Sequence, residues 1–389
     1  MNILFIFQDE IIPYMGGVQR VTYMLAEELI SRGNKVSFLS TKIKSNNKNC
    51  CFFIAKQYYI DFSNPTDVIR KDYYNILKEE NINIIINQCS LDDTLYLLSI
   101  TPENIKKISC IHIQPFYNQD FPVELLKYMH INNLKEFLYV TFNRLFPFYY
   151  KKQSYNIEYD IINRTLVVSN YLCLLSKHFI PRILKFMPHV NKYKLVAVNN
   201  PVKIDKNSVQ GYKKENLIIW VGRQSNFPKN IPAFIDIWNV ISKNNKDWKA
   251  IIVGDGIDMK YNNDYAHKNN VKRLEFVGNQ SDVVQYYKRA KFIGMTSIYE
   301  GWGMVLTEAM SFGCVPFAYD TYESLHDIIE DGADGIIIEP FDKYKAANRL
   351  QYLIDNENKY RLMQNSAKEK VRSFSIDKII DQWEKIFNL

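Results

Sequence analysis

Glu300 and Glu308 stand eight residues apart in the run Tyr299-Glu300-Gly301-Trp302-Gly303-Met304-Val305-Leu306-Thr307-Glu308-Ala309-Met310. Carboxylates accept hydrogen bonds from hydroxyl groups, and two glycines let a ligand approach the backbone closely. A helix opening near Met304 would add free N–H groups at its start that favour anionic oxygens. The combination suits a ligand with both hydroxyls and phosphate. A second constellation is Gly222-Arg223 with Lys229 six residues later. Two cations on one strand-end loop can neutralise a departing diphosphate, a task otherwise given to a metal. Each feature also has a plainer reading, a capping glutamate in one case and a solvated basic pair in the other.

The elements that must hold these residues follow from the apolar pattern. Phe292 to Thr296 reads as a strand, a helix follows with Val305, Leu306, Ala309 and Met310 on its buried side, Gly313 caps it, and Val315 to Tyr319 resumes as a strand. This βαβ unit puts both glutamates at the carboxyl edge of a sheet, where ligands bind. Leu217 to Val221, Lys249 to Val253 and Leu274 to Val277 each end in a glycine turn and continue the rhythm, with Asp255 expected to hold its own turn. Ala346 to Tyr352, Tyr360 to Val371 and Asp377 to Phe387 read as helices.

The first half repeats the scheme. Ile3 to Phe7, Gly16-Gly17, a helix carrying Val18, Val21, Leu25 and Leu29 and capped at Gly33, then Lys35 to Ser40 form a βαβ unit. Gly16-Gly17 either cradles phosphate or makes a tight turn. A nicotinamide site is disfavoured, because G-x-G-x-x-G spacing is missing and the second strand ends in Ser40-Thr41-Lys42 without an acidic residue. Ile82 to Asn87 and Lys107 to Ile113 read as buried strands. His112, near the end of the latter, is either a satisfied buried histidine or a group at the edge where catalytic residues sit. Thr165 to Ser169 is expected as a strand leading into a helix near Tyr171, Lys194 to Val198 as the last strand, and Lys203 to Asn216 as the linker.

Glu300-Gly301-x-Gly303-x-x-x-x-Glu308 together with Gly222-Arg223-x-x-x-x-x-Lys229 closely resembles the signature of family 4 retaining glycosyltransferases, and Asn199-Asn200-Pro201 resembles a turn found among its lipopolysaccharide and capsule members. The resemblance implies an α/β GT-B fold, two Rossmann-like domains with parallel sheets facing each other across a cleft. It implies an acceptor-side domain over residues 1–200 plus a returning helix at about 376–389, and a donor domain over 201–375. Carried over residue by residue, Glu300 lies by the transferred sugar and Glu308 holds ribose hydroxyls. Arg223 and Lys229 clamp the diphosphate, Gly222 opens that loop, and Gly303, Met304 and Val305 meet sugar and phosphate. Gly16-Gly17 faces the donor diphosphate, and His112 approaches the donor sugar. Tyr322-Glu323-Ser324 departs from the glycine-containing stretch common in the family, so donor-hydroxyl contacts there are not carried over.

With 389 residues the chain suits two domains, and 47% hydrophobic with 23% charged residues suits a globular protein. A net charge of +7 favours an anionic partner such as a nucleotide diphosphate or an acidic membrane face, and no nucleic-acid module motif is present. No D-x-D, H-E-x-x-H, P-loop or G-x-S-x-G occurs, so no metal or other cofactor is expected. The six cysteines, Cys50, Cys51, Cys89, Cys110, Cys173 and Cys314, show no C-x-x-C spacing and are expected as free thiols. Neither a signal peptide nor roughly 18 consecutive apolar residues is seen, so a cytoplasmic location is expected. Residues 116–165, rich in aromatic and basic side chains, are expected as a helical lobe that either packs on the core or rests on the anionic inner membrane face. The expected partners are a nucleotide sugar, most simply a UDP-sugar, and a glycan or lipid-linked acceptor. A GT-B-shaped nucleotide-sugar epimerase and a GDP-mannose-dependent mannosyltransferase are the alternatives.

Overall fold

The structure, a computed structural model, describes all residues except 14, 15, 43–53, 130, 132 and 205–211. Cys50, Cys51 and half of the expected linker, residues 205–211, lie outside the described residues; the other four cysteines are free, and Cys110, Cys173 and Cys314 are buried.

Two compact units emerge. The first comprises Met1–Phe116, Ser154–Pro201 and Ile376–Leu389, the second Tyr117–Gln153 and Val202–Ser375. Strands β1 (Asn2–Phe7), β2 (Lys35–Ser40), β3 (Lys56–Tyr59), β4 (Ile84–Asn87), β5 (Lys106–Ile111), β6 (Tyr171–Leu174) and β7 (Leu195–Ala197) form the first unit's sheet, in order β3-β2-β1-β4-β5-β6-β7. All its pairings are parallel. Strands β8 (Glu215–Val221), β9 (Lys249–Val253), β10 (Leu274–Phe276), β11 (Ala290–Met295), β12 (Val315–Tyr319) and β13 (Ile336–Ile338) form the second, in order β10-β9-β8-β11-β12-β13, again parallel. Near-continuous Ile, Val, Leu and Phe runs are what a parallel sheet covered on both faces requires. In the first unit Tyr73, Ile76, Leu97 and Leu98 cover Leu4, Ile6 and Ile85, and in the second Phe234 and Trp238 cover Trp220, Phe292 and Phe317. Gly294 of β11 leaves room for the latter, because a Cβ there would lie 2.4 Å from the Phe317 ring.

Each sheet reverses its strand order once, between β1 and β4 and between β8 and β11. At such a switch point the connections leave on opposite faces and open a crevice at the carboxyl ends of the strands. The loop holding Gly222 and Arg223 follows β8, and the loop holding Glu300 follows β11, so the two flank the second sheet's switch point.

Three local expectations need correction. Thr165 lies in the long Pro147–Val168 helix, and Tyr171–Leu174 is the strand, not the start of a helix. The β-branched Thr165-Leu166-Val167-Val168 looks extended, but Ile162, Thr165 and Leu166 are buried at helical spacing. Short strands β3 and β13 went unforeseen, the first inside a polar stretch. Finally, residues 117–153 pack with the second unit although they precede β6.

Candidate active site

The second unit brings Lys229 and Glu300 together. Lys229 Nζ lies 2.5 Å from Glu300 Oε1, and Ser297 Oγ donates to the same oxygen at 2.6 Å. The backbone makes this meeting compulsory. The Ile298 amide donates to the Pro228 carbonyl at 2.8 Å, and Thr296 Oγ1 donates to the Asn230 carbonyl at 3.0 Å. The two loops are thus laced on both sides of the ion pair. Lys229 and Glu300 are 28% and 14% exposed, so the pair is reachable by a ligand yet shielded from most solvent screening. Arg223 stands exposed on the same strand-end loop, unpaired among the described residues.

Glycine permits the β8 edge. Gly222 has φ 154°, and the carbonyl of Gly222 comes so near Gly254 that a Cβ on the latter would lie 1.9 Å away. Beyond the strands, Gln224 N–H donates to the Asp255 carbonyl and Gln224 Nε2 donates to the Gly254 carbonyl. The turn is held by the Asp258 side chain, which accepts from the Asn226 amide at 2.6 Å, while Asp255 is exposed. That displaces Asp255 from its expected role.

Downstream of Glu300, Gly303 takes φ 89°, a left-handed conformation that starts the Met304–Ser311 helix. Gly301, Trp302 and Gly303 are buried, and Met304 and Val305 half-buried, so Val305 is less enclosed than its expected core position. Glu308 accepts from Tyr287 OH at 3.1 Å on its Oε2. The stretch that departs from the family pattern has a structural function. Ser324 Oγ donates to the Gly301 carbonyl at 2.9 Å, Thr321 Oγ1 to the Ser297 carbonyl at 2.7 Å, and a Cβ at Gly303 would sit 3.1 Å from Tyr322 OH. These three side chains prop the glutamate loop from behind. Their only sequence signal was their place immediately after β12. Tyr299 is clamped by rings, 3.9 Å between centroids to Tyr117 and 6.1 Å to Phe227, and burial pushes its phenol well up.

His112 belongs to the first unit, just past β5. Its Nε2 lies 2.6 Å from Gln88 Oε1, and desolvation lowers its pKa to about 4, which makes the ring neutral near pH 7. Gln88, directly after β4 and buried, was not singled out in the sequence. Gly16 is extended, with φ 165°, and Gly17 opens the Gly17–Ser31 helix, whose first turn carries no acidic residue. Tyr14 and Met15 before them lie outside the described residues.

Comparison with known proteins agrees with this architecture. Residues 202–370 match the family described as Glycosyl transferases group 1. The chain is 28% identical over 176 residues to a Campylobacter jejuni protein, the GalNAc-alpha-(1->4)-GalNAc-alpha-(1->3)-diNAcBac-PP-undecaprenol alpha-1,4-N-acetyl-D-galactosaminyltransferase, covering 45% of this chain and 48% of that one. The chain thus spans about half the length of that relative. It is 23% identical over 380 residues to an uncharacterized glycosyltransferase of Haemophilus influenzae, covering 95% of this chain and 96% of the other. Among solved structures, a mutant of S. aureus TarM in complex with fondaparinux, alpha-GlcNAc-glycerol and UDP superposes with TM-score 0.74 at 14% identity, covering 100% of both chains. The fold is therefore GT-B, and residues 202–370 are similar to the glycosyl transferases group 1 family.

Proposed function

We propose that the protein is a retaining, metal-independent glycosyltransferase that moves a hexosyl unit from a nucleotide diphosphate sugar to a glycan or lipid-linked glycan in bacterial surface polysaccharide assembly. One observation carries the reading: a laced Lys229–Glu300 pair at a sheet switch point, with exposed Arg223 on the loop after β8 and a helix that begins four residues after Glu300. In this reading Arg223, Lys229 and the amides of Gly303, Met304 and Val305 stabilise the negative charge that grows on the diphosphate as the sugar–oxygen bond breaks. Glu300 orients the sugar and favours its positive character, and Glu308 takes the ribose hydroxyls. A diphosphate oxygen helps remove the acceptor proton on the same face, which preserves the anomeric configuration. Neutral His112 contributes a hydrogen bond to the sugar, with Gly16 and Gly17 offering backbone N–H groups to the diphosphate.

The UDP that accompanies TarM supports a UDP-sugar as donor, and the undecaprenol-linked name of the Campylobacter relative supports a lipid-linked acceptor at the cytoplasmic membrane face. Thermal stabilisation by UDP, GDP and their sugars tests the donor, because a ligand of the folded state raises its apparent stability. Stabilisation by UDP-sugars and not by GDP-mannose is expected. Product analysis with and without added acceptor then separates transfer from epimerisation, and conversion of the donor sugar without any acceptor would defeat the proposal.

A further inference from the structure

The Leu134–Leu145 helix is turned inside out. Its buried positions are Val140 and the polar Asn143, whose Nδ2 donates to the Tyr139 carbonyl at 2.8 Å. Its outward positions are Leu134, Phe137, Leu138, Phe142 and Leu145, which are 72%, 50%, 58%, 46% and 70% exposed. At 3.6 residues per turn they fall on one arc of roughly 140°, a stripe of the kind that ordinarily faces a core. The chain then turns through exposed Phe146, and the start of the Pro147–Val168 helix adds exposed Phe148 and Tyr149. Ring centroids of 5.1 Å for Phe142–Phe146 and 4.1 Å for Phe148–Tyr149 make this a contiguous patch. Single exposed apolar residues are ordinary, but a continuous stripe of this extent marks a contact surface.

Charge selects the occupant. Lys135 and Arg144 lie at the two edges of the stripe and Lys151 and Lys152 follow one turn into the next helix, against one acid, Glu136, in the stretch 134–152. A two-fold contact with a second copy would bring these cations against themselves. We propose that this corner is a wedge that inserts into the outer layer of an anionic lipid bilayer, its rings and leucines among the acyl chains and its lysines at the headgroups. Apolar insertion is the leading attraction and charge the minor one, because Arg144 already spends Nη2 on the Leu126 carbonyl at 2.8 Å. Among the described residues no helix is long and apolar enough to cross a membrane. The proposal deepens the lipid-linked acceptor reading, yet vesicle binding needs neither donor nor turnover, so its failure would leave glycosyl transfer standing.

The test is cosedimentation with phosphatidylcholine vesicles, with and without phosphatidylglycerol, at low and high salt. The wild-type chain should bind anionic vesicles and keep most of that binding in high salt. The variant Phe137→Ser/Leu138→Ser/Phe142→Ser/Leu145→Ser should bind at least tenfold more weakly with an unchanged melting temperature. A Leu145→Trp variant should gain blue-shifted emission that brominated acyl chains quench. Equal binding by the serine variant, no binding by the wild type, or a wild-type dimer that the serine variant dissolves would overturn the proposal.

Discussion

Lys229 Nζ and Glu300 Oε1 share one short contact, 2.5 Å, although the two residues are 71 positions apart and on loops after different strands. The contact fixes the carboxylate while leaving two ammonium protons of Lys229 for another acceptor. Lys229→Met should lower turnover by about 10²-fold or more, and Glu300→Gln by a similar factor. The double variant should fall well short of the product of the two losses, because partners in one interaction are not additive. Donor consumption in variants of matched melting temperature measures this, and fully multiplicative losses would refute the coupling.

Glu308 is held by Tyr287, itself 2% exposed. Tyr287→Phe keeps the packing and removes one of the hydrogen bonds that orient the carboxylate, so affinity for UDP should fall roughly three- to tenfold, about 1 kcal/mol. Glu308→Ala should lose more. Titration calorimetry with UDP reads both.

Gly254→Ala should be among the most damaging single changes. Its φ is 122° and the new Cβ would meet the Gly222 carbonyl oxygen at 1.9 Å, so the β8 edge must move, at a cost of about 3 kcal/mol or more. Gly33→Ala is the control, with φ 83° but nothing within 4 Å, and should cost only about 1 kcal/mol. Chemical denaturation separates the two.

His112 predicts a pH effect of defined sign. Its pKa is about 4 folded against 6.5 in the open chain, so the unfolded chain binds a proton first. The histidine's contribution to stability is fully present above 6.5 and is lost as pH falls toward 4, by at most about 3 kcal/mol. Melting temperature followed from pH 7 to pH 4.5 should drop less steeply in His112→Gln than in the wild type.

How much was legible depended on whether a feature is local. The strands flanking Glu300 and Gly222, and the helix opening at Met304, follow from apolar runs bounded by glycine, and their ranges matched to within a residue or two. Thr165 to Val168 misled because β-branched residues favour strands unless burial at helical spacing overrides them. The supports of the site were invisible for a different reason. Ser324, Thr321 and Tyr322 act through contacts some 23 to 27 positions away in the chain, and a serine carries no mark of the carbonyl it will meet. The same holds for Gln88 beneath His112.

Residues 376–389 have a consequence for how the molecule is made. The Ile376–Phe387 helix buries Ile379, Ile380, Trp383, Ile386 and Phe387 in the first unit, and Arg32 reaches Asp381 at 2.7 Å and Glu384 at 3.2 Å. During synthesis the second unit has all its parts before the first does. The Gly17–Ser31 helix must therefore wait, with an uncovered seam beside it, until the Ile376–Phe387 helix, some 345 positions downstream of Arg32, has been translated.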